Sequence, residues 1–152
     1  MIPFFIEMAV ANKNSCLELV EALDRLPAPC LDAPVSSSFP SIRSTLLHIW
    51  EVEASWLSDL LGQPEPDFSV NLSTGPLNDV FKGMLQSAND FESYVKTLTL
   101  SNLEERVGYT RYDGVWENQR KCDIILHCMN HSTFHRGQVV AMAGILGFRD
   151  LR

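Results

Sequence analysis

Three of the chain's four histidines form one row, His127, His131 and His135, spaced four apart and running into Arg136-Gly137-Gln138. Four residues advance an α-helix by about 400°, so side chains at that spacing stack on one face. The fourth histidine, His48, lies on a separate apolar segment in the first third of the chain. Neutral imidazole binds Zn, Ni, Fe and Cu. An i, i+4 pair joined by a histidine from a second helix supplies three nitrogens to one ion. Structural zinc is usually closed by four protein ligands, whereas three leave a position open to water, a substrate oxygen or a thiolate. The chemistry this spacing offers is therefore that of an open, reactive metal site.

Such a site needs helices to carry it, and four helical patterns are legible. The first runs from about Phe4 to Leu26, with Phe5, Met8, Cys16, Leu19, Leu23 and Leu26 near helical spacing, before Pro27, Pro29 and Pro34 stop it. The second starts at Ser41, an N-cap residue, and continues through Leu46, Ile49, Trp50, Trp56, Leu57 and Leu60 to Gly62. The third keeps a 3–4 spacing at Leu77, Val80/Phe81, Met84, Ala88, Phe91, Val95 and Leu98, as bundle packing requires. The fourth spans about Cys122 to Leu146 and ends at Gly147. Between the third and fourth, Val107 to Trp116 alternates around Asp113-Gly114 and predicts a short β-hairpin. About a dozen residues join the second and third helices, enough to cross the bundle and let those helices run parallel. The expected fold is all-α, a four-helix bundle occupying residues 1–152 as one domain.

On a wheel of the fourth helix, His131 and His135 lie about 40° apart, with His127 about 40° the other way. Ile124, Phe134, Gln138, Met142 and Ile145 share that general face, which turns the histidines inward. Burying neutral imidazoles unpaired costs about 1–3 kcal/mol each, and one ion would satisfy two or three of them. The competing reading is a row of core or interface histidines bonded to neighbouring side chains or water. His48 is ambiguous. It shares a stripe with Ser44, Thr45, Glu51, Val52, Ser55 and Asp59, opposite the leucines, so amphipathicity places it in solvent while a polar cleft wall fits equally.

Composition narrows the function. Net charge is −7 with no Lys/Arg cluster, which argues against nucleic acid or an anionic membrane as partner. No apolar run reaches the length of about 20 residues needed to span a bilayer, and the opening Met1 to Glu7 does not read as a signal peptide. Cys16, Cys30, Cys122 and Cys128 show no paired spacing and read as reduced, cytoplasmic thiols, mostly core filler. Glu51 is a weak candidate for a general base, and Trp50, Trp56 and Trp116 are expected as core or cleft walls. No nucleophile elbow, P-loop or dinucleotide fingerprint is present.

The segment Leu46-Leu47-His48-Ile49-Trp50-Glu51-Val52-Glu53-Ala54-Ser55-Trp56-Leu57 resembles the second helix of the DinB family. His127 to Gln138, with its HxxxHRGQ string, closely resembles that family's last helix, and the order of elements fits along nearly the whole chain. The resemblance implies an up-down-down-up bundle with one divalent metal held by His48, His131 and His135, and often a homodimer. Ile125, Leu126 and Val140 can supply such a dimer contact or pack on the first helix. His127 then lines the cleft or sits behind the ligands, and Gln138 orients a ligand or touches substrate. Arg136 is expected to bond the hairpin or a helix end, and Gly137 to admit another element. Zn or Ni suits nitrogen ligation best, with Fe and Mn admissible. Characterised relatives include thiol-dependent transferases and an isomerase, so the expected activities are thiol transfer or isomerisation, using a low-molecular-weight thiol, and hydrolysis of a small molecule. The alternative is a non-catalytic stress or damage-inducible protein whose metal is structural.

Overall fold

The computed structural model describes residues 1–68, 74–111, 113–149 and 151. Four long helices dominate it: α1 (Ile2–Asp24), α3 (Ile42–Leu61), α4 (Leu77–Thr97) and α6 (Lys121–Ile145). Two short helices, α2 (Ala28–Leu31) and α5 (Leu100–Glu104), and two strands, β1 (Arg106–Thr110) and β2 (Trp116–Arg120), complete the order of elements.

Local chemistry sets the boundaries. Pro3 opens α1, where a missing N–H costs nothing. Ser41 caps α3 through a reciprocal pair with Ser44, and Gly62 closes that helix at φ 66°, a left-handed position suited to glycine. The two short helices are not legible as periodic patterns. Pro27 and Pro29 were expected only to stop α1; they also start α2, because proline's fixed φ suits a first helical turn. In α5, a Thr99–Asn102 capping box compensates for length, and Leu103 anchors the turn in the core.

The strands pair antiparallel from Arg106↔Arg120 to Thr110↔Trp116. The second strand therefore continues four residues beyond the Trp116 end read from the alternation. Its later residues, Glu117 to Arg120, are polar and carry no apolar alternation. Tyr112, part of the expected hairpin, falls outside the described residues.

Within the bundle, α4 and α6 each pack on both α1 and α3. The apolar core falls into two clusters. One joins Cys16 to Leu23 of α1, Ile42 to Ile49 of α3, Val80 to Ala88 of α4 and Val139 to Ala143 of α6. The other joins Phe5 and Ala9, Leu60, Phe91 and Val95, and Ile124 to Met129. Buried polar groups mark the level between them. Glu53, only 2% exposed, accepts hydrogen bonds from Asn12 Nδ2 at 3.0 Å and Ser132 Oγ at 3.1 Å. Arg136 donates to Asn12 Oδ1 and to Thr133. A buried carboxylate is tolerable only with such partners. Arg136 thus binds α1, not the hairpin or a helix end, and the partner that decides this lies 124 positions away in the chain.

Several other expectations are corrected. Phe134 and Ile145 are 61% and 70% exposed, so they are not part of the apolar packing that turns the histidines inward, although the Phe134 ring lies 5.0 Å from that of His135. Trp116 is 64% exposed and does not line the cleft, so it is neither core nor cleft wall. A Cβ built on Gly137 meets nothing within 4 Å, so no element approaches there. Ile125 packs with Phe5 and Ala9 in the core while Val140 is exposed. Among the described residues no helix is long and apolar enough to cross a membrane.

Candidate metal centre

His131 and His135 project from one face of α6 and meet His48 from the adjacent α3. His48 Nε2 and His131 Nε2 lie 2.9 Å apart. Ring centroids of the three are 4.3 to 4.8 Å from one another. One nitrogen from each falls within 4.8 Å of the others, a separation three ligands of one ion can adopt. The i, i+4 spacing on α6 builds one edge of this triangle; helix packing builds the other two.

The protein fixes the rings in a form suited to a metal. His135 is 7% exposed, and its Nδ1 donates to Gln138 Oε1 at 2.7 Å. Gln138 is held by its own amide, which donates to Ser38 Oγ at 3.0 Å. Locking the proton on Nδ1 leaves the His135 Nε2 lone pair free. Phe39 packs against His48 and His135 with centroids 4.4 and 5.7 Å away. Burial, aided by His135, His48 and His127, pushes the His131 imidazole down to about 3. Burial and His135 lower His48 as well. Both rings are therefore neutral bases at neutral pH, as coordination requires. His131 Nδ1 is buried without a hydrogen-bond partner, so Nε2 carries that ring's polar engagement. The donor set fits a divalent transition metal.

The cluster borders a cleft of about 710 Å³ between α3, α6 and the hairpin. His48, Val52, Ser55 and Asp59 form its α3 wall, so that part of the polar stripe faces this cleft, whereas Thr45 is buried in the bundle and Ser44 bonds the Ser41 cap. His127 is exposed one turn before His131, with its ring 6.2 Å from that of His131 and 5.6 Å from Trp56. It lines the cleft and is not part of the three-nitrogen cluster. Glu51 opens into a neighbouring pocket with Glu65, Pro66 and Phe68. Its angle to His48 on a helical wheel is small, but the two fall on opposite sides of the Val52/Ser55 ridge, which lines both cavities. Sequence reasoning missed Ser38, Phe39, Tyr109 and Glu53. The first three come from loop or hairpin, where periodicity is silent, and Glu53 is an acid where a core helix rarely carries one.

The fold and the histidine cluster place the chain among helical-bundle proteins with a candidate metal site. It belongs to the DinB family, whose model matches residues 5–150. Among solved structures it is similar to YfiT from Bacillus subtilis, described as a probable metal-dependent hydrolase with an unusual four-helix bundle topology. That likeness has a TM-score of 0.73 at 13% identity and covers 97% of this chain and 88% of the other. It is a likeness of fold. No functionally curated protein matches the chain.

Proposed function

We propose that this protein is a metal-dependent enzyme acting on a small molecule, with one divalent ion, Zn or Ni foremost, held by His48, His131 and His135. The observation that carries this reading is the convergence of three imidazole nitrogens within 4.8 Å at the edge of an open cleft. The bundle is read as up-down-down-up. In support, α1 and α6 meet the Phe5/Phe91 cluster with their first halves, whereas α3 and α4 meet it with their second.

When bound, the ion supplies Lewis acidity, which acidifies a nucleophile or polarises a substrate oxygen. The chain's own residues do the rest. Gln138 and Ser38 hold His135 in one tautomer, and Phe39 packs against two of the rings. Trp56 and Tyr109 wall the approach, their centroids 4.7 Å apart. His127, exposed and one turn from His131, is placed to pass a proton to or from a substrate in the cleft.

Hydrolysis is the first reading, supported by the description of the YfiT-like fold. A small thiol as nucleophile is the second. Glu51 faces the neighbouring pocket, so the cleft offers no carboxylate at its histidine end among the described residues. A thiol needs less help from a base to ionise than water does.

The test is metal content of untagged protein by plasma mass spectrometry, beside His131→Ala. About one transition-metal ion per chain, lost in the variant, is expected. Protein that neither carries an ion nor takes up Zn or Ni at micromolar concentration overturns the proposal. Ester hydrolysis with and without an added low-molecular-weight thiol then separates the two chemistries. An ion whose removal lowers the melting temperature, while no substrate or inhibitor reaches it, favours a structural role.

A further inference from the structure

The cleft has two poles. His48 and Asp59 line it from the same helix, eleven residues apart, which is about 16 Å of helix rise. Rings continue from one pole to the other: His131, then His127 at 6.2 Å, Trp56 at 5.6 Å and Tyr109 at 4.7 Å between successive centroids. The far end, against the β-hairpin, is acidic. Among the described residues, Asp59 and Glu117, with Glu65 beside Ser55, line the cleft against a single guanidinium, Arg111, which is tied to Glu117 at 2.8 Å and to Asp113 at 2.9 Å. Glu117 also accepts from Tyr109 and Gln119, and Glu65 accepts from Ser55. Asp59 differs. Its carboxylate makes no hydrogen bond or ion pair among the described residues, although it lines the same cleft as Tyr109 and Glu65.

A half-buried carboxylate that shares its cleft with two aromatic rings and a second acid, and has no hydrogen bond or ion pair, lacks a counter-charge. Burial and Glu65 both push the Asp59 carboxyl above its ordinary value, a cost that a cation in the cleft would relieve. Aromatic faces attract cations, and more strongly where water is partly excluded. An anionic group would meet the opposite field.

We propose that the hairpin end of the cleft, formed by Asp59, Trp56 and Tyr109, is a subsite for the ammonium or guanidinium group of a substrate whose reactive end lies at the three histidines. The proposal rests on the metal-centre reading for the reactive end alone. It makes Asp59 a specificity residue, too far along α3 to take part in bond-making at the histidines.

Matched inhibitors test it. ω-Aminoalkanoyl hydroxamates of about six to ten carbons are titrated calorimetrically into zinc-loaded protein, beside the equally long hydroxamates that lack the amine. At the best length the ammonium compound is expected to bind about tenfold more tightly. Asp59→Asn should remove most of that difference while zinc content and circular dichroism stay unchanged. Equal affinity of the two series for the wild type overturns the subsite, as does a difference that survives in Asp59→Asn. If neither hydroxamate binds, the metal-centre reading fails instead, and n-octylammonium against n-octanol reads the subsite separately. Tighter binding of the cation, lost in Asp59→Asn, supports it, and equal binding overturns it.

Discussion

Replacing Gln138 by leucine should weaken metal binding without unfolding the protein. The wild-type amide accepts the His135 Nδ1 proton at 2.7 Å and is itself held by Ser38 at 3.0 Å. Leucine is close in size and accepts nothing. His135 is 7% exposed, so water cannot easily replace the lost partner, and an unsatisfied buried donor costs about 1–3 kcal/mol. Part of that cost disappears if the ring flips or moves its proton to Nε2, and either change removes the lone pair that an ion needs. Losing such a partner typically lowers metal affinity about 10- to 100-fold, or roughly 1.4–2.7 kcal/mol. Gln138→Glu keeps an acceptor at the same reach and adds negative charge, so its affinity should equal or exceed that of the wild type. Ser38→Ala removes only the outer bond, on an exposed side chain, and should cost about threefold or less. Competition against a chromophoric chelator at pH 7.5, with zinc, measures all three. Gln138→Leu within about twofold of the wild type would refute the reasoning, because His135 would then not depend on that bond for its orientation.

Acid should release the ion and destabilise the metal-free protein. Burial holds His131 at about 3, below its unfolded value of 6.5, so the unfolded chain binds the extra proton between those values. Stability is then retained above pH 6.5 and lost as pH falls towards 3, by at most about 1.4 kcal/mol per pH unit for this group. Urea melts of metal-free wild type and His131→Gln between pH 7 and 4.5 check this, and the variant should show the shallower fall. Glu53→Ala should destabilise the fold by about 2–5 kcal/mol, since it opens a cavity and orphans Asn12 and Ser132, whereas Glu53→Gln should cost much less. Gly83→Ala should lower stability despite alanine's helix preference. A Cβ there would fall 2.2 Å from the Trp50 ring, and displacing that ring should outweigh the gain of about 1 kcal/mol in propensity. Thermal melts measure all three substitutions.

The local features of this protein were determined by its sequence alone. Hydrophobic spacing, the Ser41 cap, the terminal Gly62 and the proline-rich break are short-range facts, and the four long helices follow from them. The histidine row on α6 was legible for the same reason, as was the polar stripe of α3. Tertiary structure decided what those faces meet. Periodicity leaves His48 undecided between solvent and a cleft wall until α6 packs beside α3 and puts His131 Nε2 2.9 Å from the His48 nitrogen. Arg136 finds Asn12, Glu53 finds Ser132, and Ser38 reaches Gln138 across 100 residues of chain. Glu51 and Asp59 share a stripe on the α3 wheel, yet the loop after α3 and the hairpin divide them between separate cavities. Periodicity reports which way a side chain leaves its own helix. The packed bundle alone brings a second helix, a loop or a hairpin to that face, and with it the polarity and depth of the cleft.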